Sequence, residues 1–152
     1  GDHPRTREAV TLLLDRLLPQ GGCNYGNTSV FGRVLRPHLE PSGLTLAALA
    51  GESDNSQRVA KTRDYLRRSL SENVGGVSLA YGLLGLTAHG RRPPEANHWI
   101  SEATRSVKSP LAPRNDGRSR SERRPYRTNF PLRQAMLAMA ACEHCPLTDS
   151  FV

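Results

Sequence analysis

Two kinds of apolar segment alternate along this chain, and the alternation restricts what it can fold into. Segments of the first kind carry a single apolar stripe. Val10, Leu13, Leu14, Leu17 and Leu18 recur at i, i+3, i+4, i+7 and i+8, with Arg7, Glu8, Asp15 and Arg16 among the polar positions. Val59, Leu66 and Leu70 behave similarly beside Arg58, Lys61, Arg63, Asp64, Arg67 and Arg68, and Ala96, Trp99, Ile100, Ala103 and Val107 repeat the pattern. This spacing gives a helix one buried stripe and one wet face. Segments of the second kind, Leu44–Ala50, Val77–Ala88 and Leu132–Ala141, are apolar on most faces. Such a helix has to be covered on more than one side. β-branched residues are sparse, Ala and Leu abundant, and period-2 alternation absent, so strands are the poorer assignment.

Boundary signals divide the chain in the same places. Thr6, with Asp2 and His3 upstream, precedes the first helix; Pro41-Ser42 opens the second and Asn55-Ser56 the third. Gly90 follows the fourth, and Pro93-Pro94-Glu95 opens the fifth. Ala48-Leu49 aligns with Gly85-Leu86 at a spacing of 37 residues, and a third copy lies around Ala138-Met139. A period of this size is the mark of stacked helical hairpins. The expected fold is all-α, with about six helices in two layers forming a single domain over residues 1–152. Two connections are long. Residues 19–40 read as an ordered, Gly-rich loop with Tyr25, Val30, Phe31 and Leu35 as buried-type residues. Residues at about 108–129 are rich in Pro, Arg and Ser and read as a flexible basic insertion.

The stretch from Arg105 to Arg127, most of it in that insertion, carries most of the net charge of +7. Arg105, Lys108, Arg114, Arg118, Arg120, Arg123, Arg124 and Arg127 face only Asp116 and Glu122. Tyr126 is its lone aromatic and no nucleic-acid motif accompanies it, so it reads as a solvated insertion rather than a nucleic-acid site. Diphosphate binding and peripheral contact with an anionic membrane are the functional variants. No apolar run reaches the length of a membrane span, and no charged-then-apolar leader opens the chain. The 3 cysteines are an odd number without a secretory leader, which points to a reducing, cytoplasmic setting. Opening on Gly1 rather than Met reads as a fragment or a processed product.

Leu14–Gly26 (LDRLLPQGGCNYG) ends a helix on Gln20, Gly21 and Gly22, with Cys23 where a Trp is usual in the Gln/Trp repeat motif. Asn24–Asn27, Val30–Gly32, Leu35–Pro37 and Ser42–Leu49 continue it, and Leu79–Leu86 followed by Pro94 and Trp99 looks like the next repeat. Over roughly residues 5–107 the chain resembles the squalene-cyclase and prenyltransferase superfamily of α/α toroids. The resemblance implies two concentric helical layers around an apolar cavity. A full toroid uses about a dozen helices, so six would give an incomplete ring of about half. Such a half ring exposes an apolar edge unless a missing half-toroid or a second copy in a homodimer covers it.

What the resemblance implies for function is an isoprenoid or other apolar ligand, with Tyr25, Phe31 and Tyr81 as the substrate-binding residues and cation–π attraction as their contribution. The catalytic elements are another matter. The family's Asp-rich acid motif is absent, and Glu52-Ser53-Asp54-Asn55 reads as a turn and N-cap instead. Cys142-Glu143-His144-Cys145 has zinc-like spacing without a second ligand pair, and reads as a helix end. It would need His3, His38, His89 or His98 nearby to hold a metal, so neither metal nor cofactor is expected. Cys23 has Gly26, not Gln, three residues on, which argues against a thioester. The Gln20–Gly26 stretch reads as a structural turn, its Gln and Asn side chains satisfying helix-end groups. Trp99 reads as packing. The expected function is therefore a prenyltransferase- or cyclase-like protein with a partial hydrophobic pocket, catalytically incomplete alone. The alternative is a non-catalytic helical-repeat module that binds a protein or lipid partner.

Overall fold

The computed structural model describes residues 3–54, 56–108 and 130–144. In chain order the elements are α1 (Pro4–Arg16), a hairpin of β1 (Ser29–Val30) and β2 (Arg33–Val34), then α2 (Leu39–Ala48), α3 (Arg58–Ser69), α4 (Gly76–Ala88), α5 (Ala96–Lys108) and α6 (Phe130–Ala141). The all-α expectation therefore holds, with one small addition. The basic insertion expected at about 108–129 falls, apart from Lys108 at the end of α5, outside the described residues.

The two kinds of helix take different places. α4 packs most extensively on α2 and also on α6, so the all-round apolar helices are one another's neighbours. α3 touches both α2 and α4, and α5 touches both α4 and α6. Their single stripes, Val59 and Leu66 on α3 and Ala96, Ile100 and Ala103 on α5, are buried. The core formed in this way holds Leu46 and Leu49 from the second helix, Leu79, Leu83, Leu84 and Leu86 from the fourth, and Met136, Leu137 and Ala140 from the sixth. α1 differs from the rest. None of its residues is fully buried; Val10, Leu13 and Leu14 lie half-buried against the core, and only Leu17 and Leu18 beyond its end are enclosed.

The seam between α2 and α4 runs backbone to backbone. A Cβ on Gly43 would collide with the carbonyl of Tyr81, and one on Gly85 with the carbonyl of Gly43. Small residues let two helices approach this closely, and close approach explains why two helices so poor in polar residues share the longest contact.

Several boundaries rest on residues other than those expected. His3 caps α1, its Nδ1 accepting from the Arg5 amide at 3.2 Å, while Thr6 lies inside the helix. α2 starts at Leu39, so Pro41 occupies its first turn, where a missing N–H is tolerated. Asp54 makes the turn into α3, as the Glu52–Asn55 stretch suggested. Its carboxylate accepts from the amides of Ser56 at 2.9 Å and Val59 at 2.7 Å. Burial alone would push this carboxyl up, but hydrogen bonds from Ser56 and Val59 hold it below its ordinary value. Among the described residues no helix is long and apolar enough to cross a membrane.

Candidate functional site

The Gln20–Gly26 turn is held from a distance. Gly21 and Gly22 both adopt positive φ, at 99° and 76°, which glycine allows at little steric cost. Space is short as well: a Cβ on Gly21 would meet the Lys61 backbone, and one on Gly22 would stand 2.5 Å from the Pro37 Cβ. The orphan carbonyls after α1 are satisfied by α3. Arg58 donates to the carbonyls of Asp15 and Leu17 at 3.3 and 3.2 Å, and Lys61 to that of Pro19 at 3.1 Å. The Gly22 amide donates to the buried Thr62 hydroxyl at 2.9 Å. Gln20 itself is exposed, so the helix-end service expected of it comes from the third helix.

Cys23 is buried where the resembled motif carries a large aromatic. Its amide donates to Ser42 Oγ at 2.9 Å, its Sγ lies 3.3 Å from Thr45 Oγ1, and its carbonyl accepts from the His38 amide at 2.9 Å. Burial pushes the thiol pKa up, with the Thr45 and Ser42 hydroxyls opposing. A protonated, enclosed thiol is a poor nucleophile, and the residue acts as packing.

Beyond Cys23 the chain turns outward. Asn24 closes a local turn, accepting from the Gly26 amide at 2.9 Å and donating to the Asn27 carbonyl at 3.0 Å. Arg16 reaches Asn27 Oδ1 at 3.0 Å and ties this turn to α1. Tyr25 is exposed; its hydroxyl contacts Glu40 Oε2 at 3.2 Å and its ring lies 5.5 Å from that of His38. Together with Leu13, Arg16, Cys23, Pro41 and Leu44 it lines an open groove of about 410 Å³ on the α1–α2 side.

The hairpin follows directly. Its base is closed by the Leu35 amide donating to the Thr28 carbonyl at 3.0 Å, and its register pairs Ser29 with Val34 and Val30 with Arg33. The two-residue loop is Phe31-Gly32, with φ of 49° and 74°. Two consecutive positive φ values belong to a type I′ turn, which matches the twist of the strands and normally takes Asn-Gly. A bulky aromatic at the first position is strained. Phe31 is fully exposed there, and Val30 and Val34 are exposed as well.

Two corrections follow for the 19–40 stretch. Tyr25, Val30 and Phe31 are exposed rather than buried; of the four residues expected inside, Leu35 alone is partly so. The segment also contains strands, because a tight turn can pin two residues a side without any alternation longer than that. The three residues expected to bind substrate do not share one wall: Tyr25 lines the groove, Phe31 tips the hairpin, and Tyr81 sits half-buried on α4 against the core. At the other end, Cys142, Glu143 and His144 stand exposed after α6, while Cys145 lies outside the described residues. Among the described residues no three His, Cys, Asp or Glu side chains gather as a metal site would require.

A second recess lies between α3, α5 and the α4–α5 turn, with about 560 Å³ of space and walls that include Arg67, Arg91, Arg92, Glu95 and Trp99. The sequence pattern did not single it out, since its members come from three separate elements. Comparison of the chain with protein-family models, with curated proteins and with solved structures gave no match.

Proposed function

We propose that the chain is a non-catalytic helical-repeat interaction module, its hairpins stacked as in an α/α toroid, that seats a protein partner on the Phe31 hairpin and the neighbouring Tyr25 groove. The observation that carries this is Phe31: an aromatic fully exposed at a position whose positive φ of 49° disfavours it. Retaining a bulky residue against local strain fits a contact made with another molecule. Aromatic anchors that enter a partner's pocket supply much of the energy of protein interfaces, with surrounding contacts excluding water. Val30, Val34, Tyr25 and Leu44 offer those surrounding contacts. The toroid arrangement draws support from the row α2–α4–α6 and from α3 and α5 laid against its seams.

Phe31→Asn tests the reading. Asn enters the left-handed region readily, so the variant should melt at the same temperature or slightly higher, relieving about 1 kcal/mol of strain. A photoreactive phenylalanine analogue placed at position 31 in cells should give one discrete protein adduct, and the same analogue at exposed Arg33 a weaker one. Absence of any discrete adduct at 31, with folding intact, sinks the proposal.

The apolar-ligand reading rests on the groove beside Tyr25, whose walls include Leu13 and Leu44. It predicts saturable binding of a fluorescent isoprenoid alcohol that Leu44→Glu abolishes and Phe31→Asn leaves unchanged. The interaction reading predicts no saturable isoprenoid binding, and partner binding weakened by both Phe31→Asn and Leu44→Glu.

A further inference from the structure

We propose that the recess bounded by Arg67, Arg91, Arg92, Glu95 and Trp99 binds a mononucleotide, holding its phosphate on the arginines and its base against the indole. Arg67 lies in the last turn of α3, Arg91 and Arg92 in the turn after α4, and Trp99 on α5, so three separate stretches of chain build one wall. Arg92 is fixed in place. Its Nη1 donates to the Ala140 carbonyl at 2.7 Å and to Thr87 Oγ1 at 3.3 Å, and its Nη2 to Asn97 Oδ1 at 2.8 Å. Burial lowers the pKa of this guanidinium from its ordinary value, with Glu143 and Cys142 opposing the shift.

Arg67 and Arg91 are exposed, and among the described residues neither guanidinium has a carboxylate partner. Guanidinium forks match phosphate oxygens two at a time, which lysine cannot do. The backbone that presents them is stiff: the Arg91 amide donates to the Leu86 carbonyl at 2.8 Å, and Pro93-Pro94 follow at once. Positions set in advance lose little freedom on binding.

The remaining walls argue for more than a bare phosphate. The space of about 560 Å³ falls within the range of small-molecule sites and far exceeds what an inorganic anion fills. Trp99 is half-buried in it and supplies a flat aromatic surface, on which nucleobases stack irrespective of their identity. Glu95 is the one carboxylate of the wall and can accept from a sugar hydroxyl or an exocyclic amine. A free anion would gain nothing from either residue. A nucleotide uses both.

Trp99 is the sole tryptophan of the chain, so its fluorescence reports this recess and nothing else. Titration with AMP should give a saturable change in emission, competed by inorganic phosphate and weakened by added salt. Arg67→Ala and Arg91→Ala, both surface changes, should each reduce AMP affinity by about tenfold or more while the melting temperature stays put. Adenosine, lacking the phosphate, should bind far more weakly than AMP. No saturable change with AMP overturns the proposal, as does unchanged affinity in the double arginine variant. Equal affinity for AMP and inorganic phosphate removes the base-binding half of it. Much tighter binding of a single-stranded oligonucleotide than of AMP reassigns the surface to nucleic acid and overturns it as well.

Discussion

Gly43 and Gly85 show how much of this fold hangs on missing methyl groups. Each faces a backbone carbonyl of the opposite helix, which has no rotamer to change. Gly82 lies in the same helix as Gly85, yet the nearest atoms a Cβ there would meet belong to the Leu70 side chain, its methyls at 2.8 and 2.9 Å, and a side chain can shift where a carbonyl cannot. Gly43→Ala is therefore expected to lose about 1–3 kcal/mol, as overpacked cores do, and Gly82→Ala distinctly less. Chemical denaturation of the two variants checks the difference; equal losses would mean that the seam relaxes as a body. Phe31 belongs to the same scale with the opposite sign, since there the native side chain is the strained one.

At the scale of elements, His89 closes α4 and reaches back to α2, its Nε2 lying 2.8 Å from the Leu46 carbonyl. Burial lowers its pKa, a hydrogen bond to Leu46 opposes this, and Arg63 adds to the lowering. The unfolded chain takes up this proton near the ordinary imidazole value of about 6.5, whereas the folded chain resists until lower pH. Below about 6.5 the unfolded state thus binds more protons, and stability falls with pH until the folded imidazole is itself titrated. Thermal melts of the wild type and His89→Gln across that window should diverge, with the wild type losing more on acidification. Parallel curves would show that His89 is not the group responsible.

The helices were readable because a stripe such as Val10–Leu18 and a block such as Val77–Ala88 are set by local periodicity. The hairpin was not, because two-residue strands carry no period and Phe31 stands where turn chemistry calls for Asn. Tyr25 reads from sequence as a buried-type aromatic, yet its exposure depends on where the turn after Cys23 leads it. The arginine recess depends on tertiary placement alone: Arg67 reads from sequence as one solvated charge among several on α3.

Across the whole molecule, burial is graded. α4 has neighbours in α2, α3, α5 and α6, and most of its residues are buried, whereas α1 has none fully buried. Native-state hydrogen exchange should follow this gradient. Amides of α4 are expected to exchange only through global unfolding, and those of α1 through a local opening of much lower free energy. Equal protection of the two helices would contradict the burial pattern. The proposed partner site on the Tyr25 groove then sits at the loosest end of the molecule, and the Trp99 recess against its firmer part.

The ties between the end of α1 and the third helix also bear on how the chain is made. The carbonyls of Asp15, Leu17 and Pro19 and the amide of Gly22 find their partners on Arg58, Lys61 and Thr62. During synthesis those partners leave the ribosome some forty residues later. Until then the glycine turn has only its own local hydrogen bonds and those offered at the start of α2, and its ties to the third helix are the last to become available.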